Sequence, residues 1–208
     1  MSWIKTIPYA EATGRLRKLY DRVKGPDDNV DNIMMAHSLR AHSMEGHMAL
    51  YKNVLHHNGN SLDKSFLELM GVWVSLLNRC AYCVEHHFSG LRRLIGDDAR
   101  AAALRTALEH EDIAAAIFDA RERAALTYAK ALTRTPETLT STDIDDLRAV
   151  GFSDGEILEL NQVTAYFAYA NRTVLGLGIS TEGDIIGCLL YTSPSPRDQR
   201  GSRMPSSA

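Results

Sequence analysis

The sequence predicts an all-α fold, and three observations carry that expectation. Helix-forming residues dominate the body of the chain, and no alternating apolar and polar run of strand type is found. The prolines ahead of residue 190 are Pro8, Pro26 and Pro136, and none of them falls inside a strongly periodic segment. A bundle of about seven to nine helices is expected from this pattern.

Each helix has its own reason to start and stop. The first runs from Glu11 to Val23 and ends ahead of Gly25-Pro26. The second runs from His42 to His56, before a turn at Asn58-Gly59-Asn60. Ser61 is placed to cap a third, Leu62 to Leu77. Asn78 interrupts, and a fourth runs from about Cys80 to Ile95, where Gly96 stops it. Asp97 or Asp98 caps a fifth, Ala99 to Glu109, and a sixth runs from Asp119 to Thr133 before Pro136. Thr142 to Val150 precedes the Gly151 stop, and Ser153 to Leu175 closes the body ahead of Gly176 and Gly178.

Composition removes several classes of function. A chain of 208 residues suits a single domain with a sizeable core. Its 23 basic and 26 acidic residues give a net charge of −3, so neither nucleic acid nor an anionic membrane is an expected partner. The longest apolar stretch, Phe66 to Leu77, is broken by Glu68, Gly71 and Ser75 and is too short to span a bilayer. No signal peptide is read at the N-terminus, and the protein is expected in the cytoplasm. Three cysteines, two close together at Cys80 and Cys83 and one far off at Cys188, do not make a secreted disulfide framework.

The last 21 residues differ from the rest. They hold five serines, three of the six prolines and a net charge of +2, so the segment 188–208 is expected to be disordered. It resembles the translation of a sequencing adaptor joined to a cut-off reading frame and is read as non-native. The domain is accordingly placed at residues 1–187, with Cys188 left outside it.

The chemistry concentrates in Cys80-x-x-Cys83-x-x-x-His87, with Glu68 twelve residues ahead of the first cysteine. At about 100° per residue, Cys83 lies about 60° from Cys80 and His87 about 40° from Cys83. Val84, Leu91 and Leu94 share that stripe, so the thiols and the imidazole face the core, while His86 fits less well. Cys80 falls in the first turn, where free N–H groups and the helix dipole favour a thiolate. Glu68 sits on a helix apolar nearly all round, where a carboxylate needs a partner, and His87 is the natural one. Glu68 holding His87, and His87 taking a proton from a cysteine, is activation of a nucleophile by an oriented base. A thiolate so formed attacks a peroxide oxygen, becomes a sulfenic acid and condenses with the second thiol.

Other readings of these residues remain. Zinc is disfavoured because no second Cys-x-x-Cys or His-x-x-x-His exists, and haem attachment because Val84 follows Cys83. No metal and no cofactor is expected. Two buried structural cysteines are a further possibility. His37, His42 and His47 are five apart and share no helix face, so these, with His56, His57 and His110, are expected at surface or loop positions. Trp73, Leu76, Tyr166, Phe167 and Tyr169 are expected in the core or at a subunit interface.

The Glu68…Cys80-x-x-Cys83-x-x-x-His87 pattern resembles the AhpD-like alkyl hydroperoxidase branch of the carboxymuconolactone decarboxylase superfamily. The length and flanks resemble its peroxidase-related subgroup: Ser38-Leu39-Arg40, Gly46 to Tyr51, Leu126 to Thr133, Asn171-Arg172 and Gly176-Leu177-Gly178. The resemblance covers about residues 1–187. It implies an AhpD-like helical bundle in a symmetric homo-oligomer, a trimer or hexamer. It implies a peroxidase for small hydroperoxides in which Glu68 and His87 relay a proton from Cys83, directly or through water, and Cys80 completes the disulfide. An outside dithiol, lipoyl or thioredoxin-like reductant is implied as well. The best-known relatives carry a histidine between the cysteines, where this chain has Ala81 and Tyr82. The alternatives are a thiol-disulfide oxidoreductase without peroxide activity and a decarboxylase-like enzyme of the same superfamily.

Overall fold

The structure, a computed structural model, describes residues 2–25 and 28–187. Among them there are nine α-helices and no strand. They are α1 (Gly14–Val23), α2 (Asn32–Ala36), α3 (Ala41–Leu55), α4 (Lys64–Leu77) and α5 (Ala81–Ile95). Next come α6 (Asp98–Glu109), α7 (Ala120–Arg134), α8 (Ser141–Ala149) and α9 (Asp154–Leu177). The all-helical expectation holds. The expectation of disorder for 188–208 lies outside the described residues.

The core is built around α4. Its residues from Leu67 to Ser75 are all buried, as a helix apolar nearly all round requires. It packs against α5, α7 and α9. Trp73, fully buried, donates its indole N–H to the Leu126 carbonyl of α7 at 2.9 Å, so its polar edge is satisfied inside the core. Gly71 lets α9 close in: a Cβ there would fall on the Phe167 ring.

Local chemistry sets most helix ends. Asp97 accepts from the Arg100 N–H, and Asp119 and Ser153 form capping boxes with Glu122 and Glu156. Gly96 and Gly178 close α5 and α9 with φ of 65° and 59°. Ser61 departs from its expected role. It caps nothing; its N–H and that of Leu62 are taken by the Glu159 carboxylate of α9, and α4 starts after Asp63. A charged acceptor from a distant helix outcompetes a local hydroxyl.

Helix α2 has no signal in the sequence. It is capped from a distance: the Asp184 carboxylate accepts from the Asn32 N–H at 3.0 Å. Asn32 in turn donates to the Ser180 and Glu182 carbonyls. The segment after α9 thus folds back over α2 and α5, ending with the Arg93 guanidinium on the Gly187 carbonyl at 2.8 Å. Among the described residues no helix is long and apolar enough to cross a membrane.

Candidate active site

The turn between α4 and α5 delivers the first cysteine. Arg79 adopts a left-handed conformation with φ of 58°. Its N–H returns to Leu76 O at 2.9 Å, and the Cys80 N–H reaches back to Ser75 O at 2.9 Å. This is a Schellman closure built without glycine. It leaves Cys80 as the N-cap residue of α5, one position earlier than the first turn expected.

Both thiols are free and buried, with Cys80 fully inaccessible, and their sulfurs share a hydrogen bond at 3.1 Å. That bond sets them apart. The Cys83 thiol holds the Cys80 thiol below its usual value; burial opposes this, while the Cys83 backbone N–H and the Asn171 amide assist. Cys83 is pushed up by the same sharing and by burial. Asn171, itself fully buried, belongs to α9. It donates to Ser75 Oγ at 3.0 Å and accepts from Asn78 Nδ2 at 2.9 Å, tying both ends of the turn to one amide.

The second pair lies on α4 and α5. Glu68, 1% exposed, meets His87 Nδ1 at 2.7 Å through Oε2. The expected partnership of these two residues is therefore present. The direct hand-off from a cysteine to His87 is not: among the described residues no hydrogen bond joins His87 to either sulfur. The ring is turned toward Glu68 and stands edge-on to Phe167, with centroids 4.6 Å apart. The structure holds two pairs, each closed on itself.

Between and beyond them lie residues that spacing along the sequence did not find. The Tyr166 hydroxyl, fully buried, feels the charges of both Cys83 and Glu68. It shares a hydrogen bond with His47 Nε2 at 3.3 Å. Tyr51 packs its ring 5.9 Å from Tyr166 and 6.4 Å from His87. His47 is buried, not on the surface as expected, and its ring lies 5.1 Å from that of His37. These histidines share no helix face; they meet because the short turn Ser38–Arg40 folds α2 against α3. Burial drives His47 down to about 3 and His56 to about 4, so both imidazoles are neutral.

A third polar group sits on the other side of α5. Tyr82, one of the two residues between the cysteines, donates to Asp184 at 2.7 Å. His86, which fits the core stripe less well, is buried all the same, with Nε2 3.4 Å from Asp184, and accepts from the Gly187 N–H at 3.3 Å. The stripe reading missed it because the returning segment 179–187 supplies the cover. Leu94, expected on the core stripe, is exposed, since the core that the stripe faces stops at Leu91. Tyr166 and Phe167 are core residues as expected, and Tyr169 is 42% exposed. Among the described residues no group of three or more histidine, cysteine or acidic side chains is arranged to hold a metal ion.

Comparisons with known proteins bear on the fold that carries this site. The fold is similar to that of an uncharacterized peroxidase-related protein from Ralstonia eutropha JMP134 described as an alkylhydroperoxidase AhpD core. The TM-score is 0.75 at 23% identity, over 86% of this chain and 91% of that one. A peroxidase-related protein from Silicibacter sp. TM1040 gives 0.74 at 25% identity, with the same coverage of 86% and 91%. The debrominase Bmp8 shares the fold at 16% identity, with a TM-score of 0.67 over 92% of this chain and 94% of its own. No curated protein matches the chain. Residues 41–131, which contain Glu68, Cys80, Cys83 and His87, match the carboxymuconolactone decarboxylase family. By that match over part of the chain and by this fold, the chain is similar to the carboxymuconolactone decarboxylase family and to the AhpD-like, peroxidase-related proteins that share its architecture.

Proposed function

We propose that this protein is a thiol-dependent peroxidase that reduces alkyl hydroperoxides. The observation that carries the reading is a pair of free, buried thiols 3.1 Å apart at the start of α5, with His87 of the same helix hydrogen-bonded to the buried Glu68 of α4. Cys80 is the thiolate and attacks the peroxide. Cys83, which keeps its proton, condenses with the sulfenic acid to form the disulfide. This assigns first attack to Cys80 rather than to the Cys83 favoured by family resemblance. The Glu68–His87 pair takes up the proton that Cys80 loses, with water or substrate as the bridge, since no direct hydrogen bond joins His87 to either sulfur among the described residues. A dithiol, lipoyl or thioredoxin-like partner returns the disulfide to the dithiol. The working form is a homo-oligomer.

Thiol counting tests the reading. Pre-reduced protein should lose two thiols for each hydroperoxide consumed, and unchanged thiols under excess hydroperoxide would sink it. Exchange with a small disulfide in protein indifferent to hydroperoxide would favour a thiol-disulfide oxidoreductase instead. His87→Ala and Glu68→Gln should each slow hydroperoxide reduction by about 10²-fold while leaving the two-thiol stoichiometry intact.

A further inference from the structure

Tyr51 is out of place as a structural residue. It lies on α3 with 2% exposure, and its hydroxyl has no hydrogen-bond partner among the described residues. A buried O–H left unpaired costs about 1–3 kcal/mol, and a phenylalanine would fill the same space without that cost. The ring packs edge-on with His56 and His87 and at a tilt with Tyr166. Glu68 Oε1, which acts electrostatically on the Tyr51 hydroxyl, is unpartnered in the same way. The other charges acting on the phenol are Tyr166 and Asp31, so no cation competes for it. The Tyr51 ring thus stands beside that of His87, with centroids 6.4 Å apart, and its neighbour Tyr166 is the group that feels both Cys83 and Glu68.

We propose that Tyr51 is a catalytic residue: its O–H receives the departing oxygen of the hydroperoxide, beside the Glu68–His87 pair. The step rests on the peroxidase reading above. The Cys80 thiolate attacks the terminal oxygen of R–O–O–H, forming S–OH as the O–O bond breaks. The leaving RO⁻ takes the proton of Tyr51, and the phenolate regains one from His87, which carries the proton first lost by Cys80. Cys83–SH then attacks the sulfenic sulfur, the S–S bond forms, and water leaves with the Cys83 proton. Two thiol protons end in ROH and H₂O, the pair of thiols loses two electrons and the peroxide gains two. A buried neutral phenol with no internal acceptor is suited to this, because its hydrogen bond is made only when charge develops on the substrate.

The test is Tyr51→Phe in the full chain, assayed with a small alkyl hydroperoxide such as cumene hydroperoxide. The expected result has three parts. Sulfenic acid or disulfide formation by hydroperoxide falls by about 10²-fold. The thiolate absorbance titration and exchange with a small disulfide stay at wild-type values. The melting temperature is unchanged or higher, since an unsatisfied buried group has been removed. Wild-type hydroperoxide rates in the variant overturn the proposal, as does a fall in melting temperature, which would show that the hydroxyl has an internal partner. If wild-type protein itself consumes no hydroperoxide, the peroxidase reading fails first and this proposal with it.

Discussion

The two halves of the site are built on opposite rules. At the thiol corner every polar group is spoken for. The sulfurs bond each other, and Asn171 ties Ser75 to Asn78. On the histidine and tyrosine face, buried polar atoms of Asp31, His37, His47, Tyr51, His56 and Glu68 lack hydrogen-bond partners among the described residues. Both halves share one core and lie on the same few helices, so packing quality does not explain the contrast. A nucleophile gains from being held in one position; a surface that must receive a substrate oxygen gains from groups left to bond with it. The closed half fixes where the attack starts, and the open half awaits what is attacked.

The largest way to break that contrast is to remove a sulfur. Cys83→Ser should end catalytic turnover, with hydroperoxide consumption at the background rate. Mass spectrometry should then find Cys80 oxidised without a disulfide. Next comes the amide that closes the corner. Asn171→Leu leaves Ser75 and Asn78 without their shared partner in a fully buried place, and about 2–4 kcal/mol of stability should go, read by chemical denaturation. The same variant should move the Cys80 thiolate titration to higher pH, because the amide is one of the groups that favour the ionised sulfur. A variant that loses stability with an unmoved titration would separate support of the turn from support of the thiolate.

The open half should show the opposite sign when its unpaired groups are neutralised. Asp31 is the N-cap residue of α2, yet its side chain caps nothing and both carboxylate oxygens are unpartnered. Burial pushes its carboxyl up to about 6, with Asp184 adding to the rise and His86 opposing it. An unfolded aspartate titrates near 3.9 (about). Between those two values the native state binds more protons than the unfolded state, so stability falls as pH rises. The Asp31 contribution is whole below about pH 4 and lost above about pH 6. Asp31→Asn should therefore raise the melting temperature at pH 8, by the equivalent of about 2–3 kcal/mol, and do nothing at pH 4. A wild-type advantage at pH 8 would mean that the carboxylate has a partner after all.

The smaller structural test crosses both halves. Gly71→Ala puts a methyl group into the Phe167 ring, and that ring is the one against which His87 stands. Overpacking of this kind should cost about 1–3 kcal/mol. Hydroperoxide reduction should fall with it, while the Cys80 thiolate titration stays where it was.

What could be read from the sequence follows the same division. The thiol pair, its helix and the buried carboxylate on α4 came from spacing within one or two adjoining helices, where 3.6 residues per turn decides which side chains meet. Local signals such as the Asp97 cap and the Gly96 stop were legible for the same reason. Tyr51, His47 and Asp31 were not, because their neighbours come from four separate elements and no local period links them. His47 was misread as a surface or loop residue because the histidines were tested only against a common helix face, whereas His37 does lie in a turn. A weak signal did exist: Gly46 to Tyr51 was among the family matches, with a histidine and a tyrosine four apart at positions 47 and 51. Helix α2 was invisible since the acid that caps it, Asp184, stands 152 residues away.

The smallest effect sharpens the comparison at the turn itself. Arg79 is exposed, and it holds a left-handed backbone where most helices that close this way use glycine. A residue with a Cβ costs about 1–2 kcal/mol in that conformation. Arg79→Gly removes that cost but lets the unfolded chain wander more, which returns about 0.5–1 kcal/mol. The balance should be a gain of about 0.5 kcal/mol, visible as a melting temperature higher by a few degrees at most. The backbone bonds from Arg79 to Leu76 and from Cys80 to Ser75 do not involve the side chain, so the thiol pair should keep its titration and its rate. If the variant is more stable and also slower, the strain in the turn positions Cys80, and the closed half of the site owes its geometry to more than its hydrogen bonds.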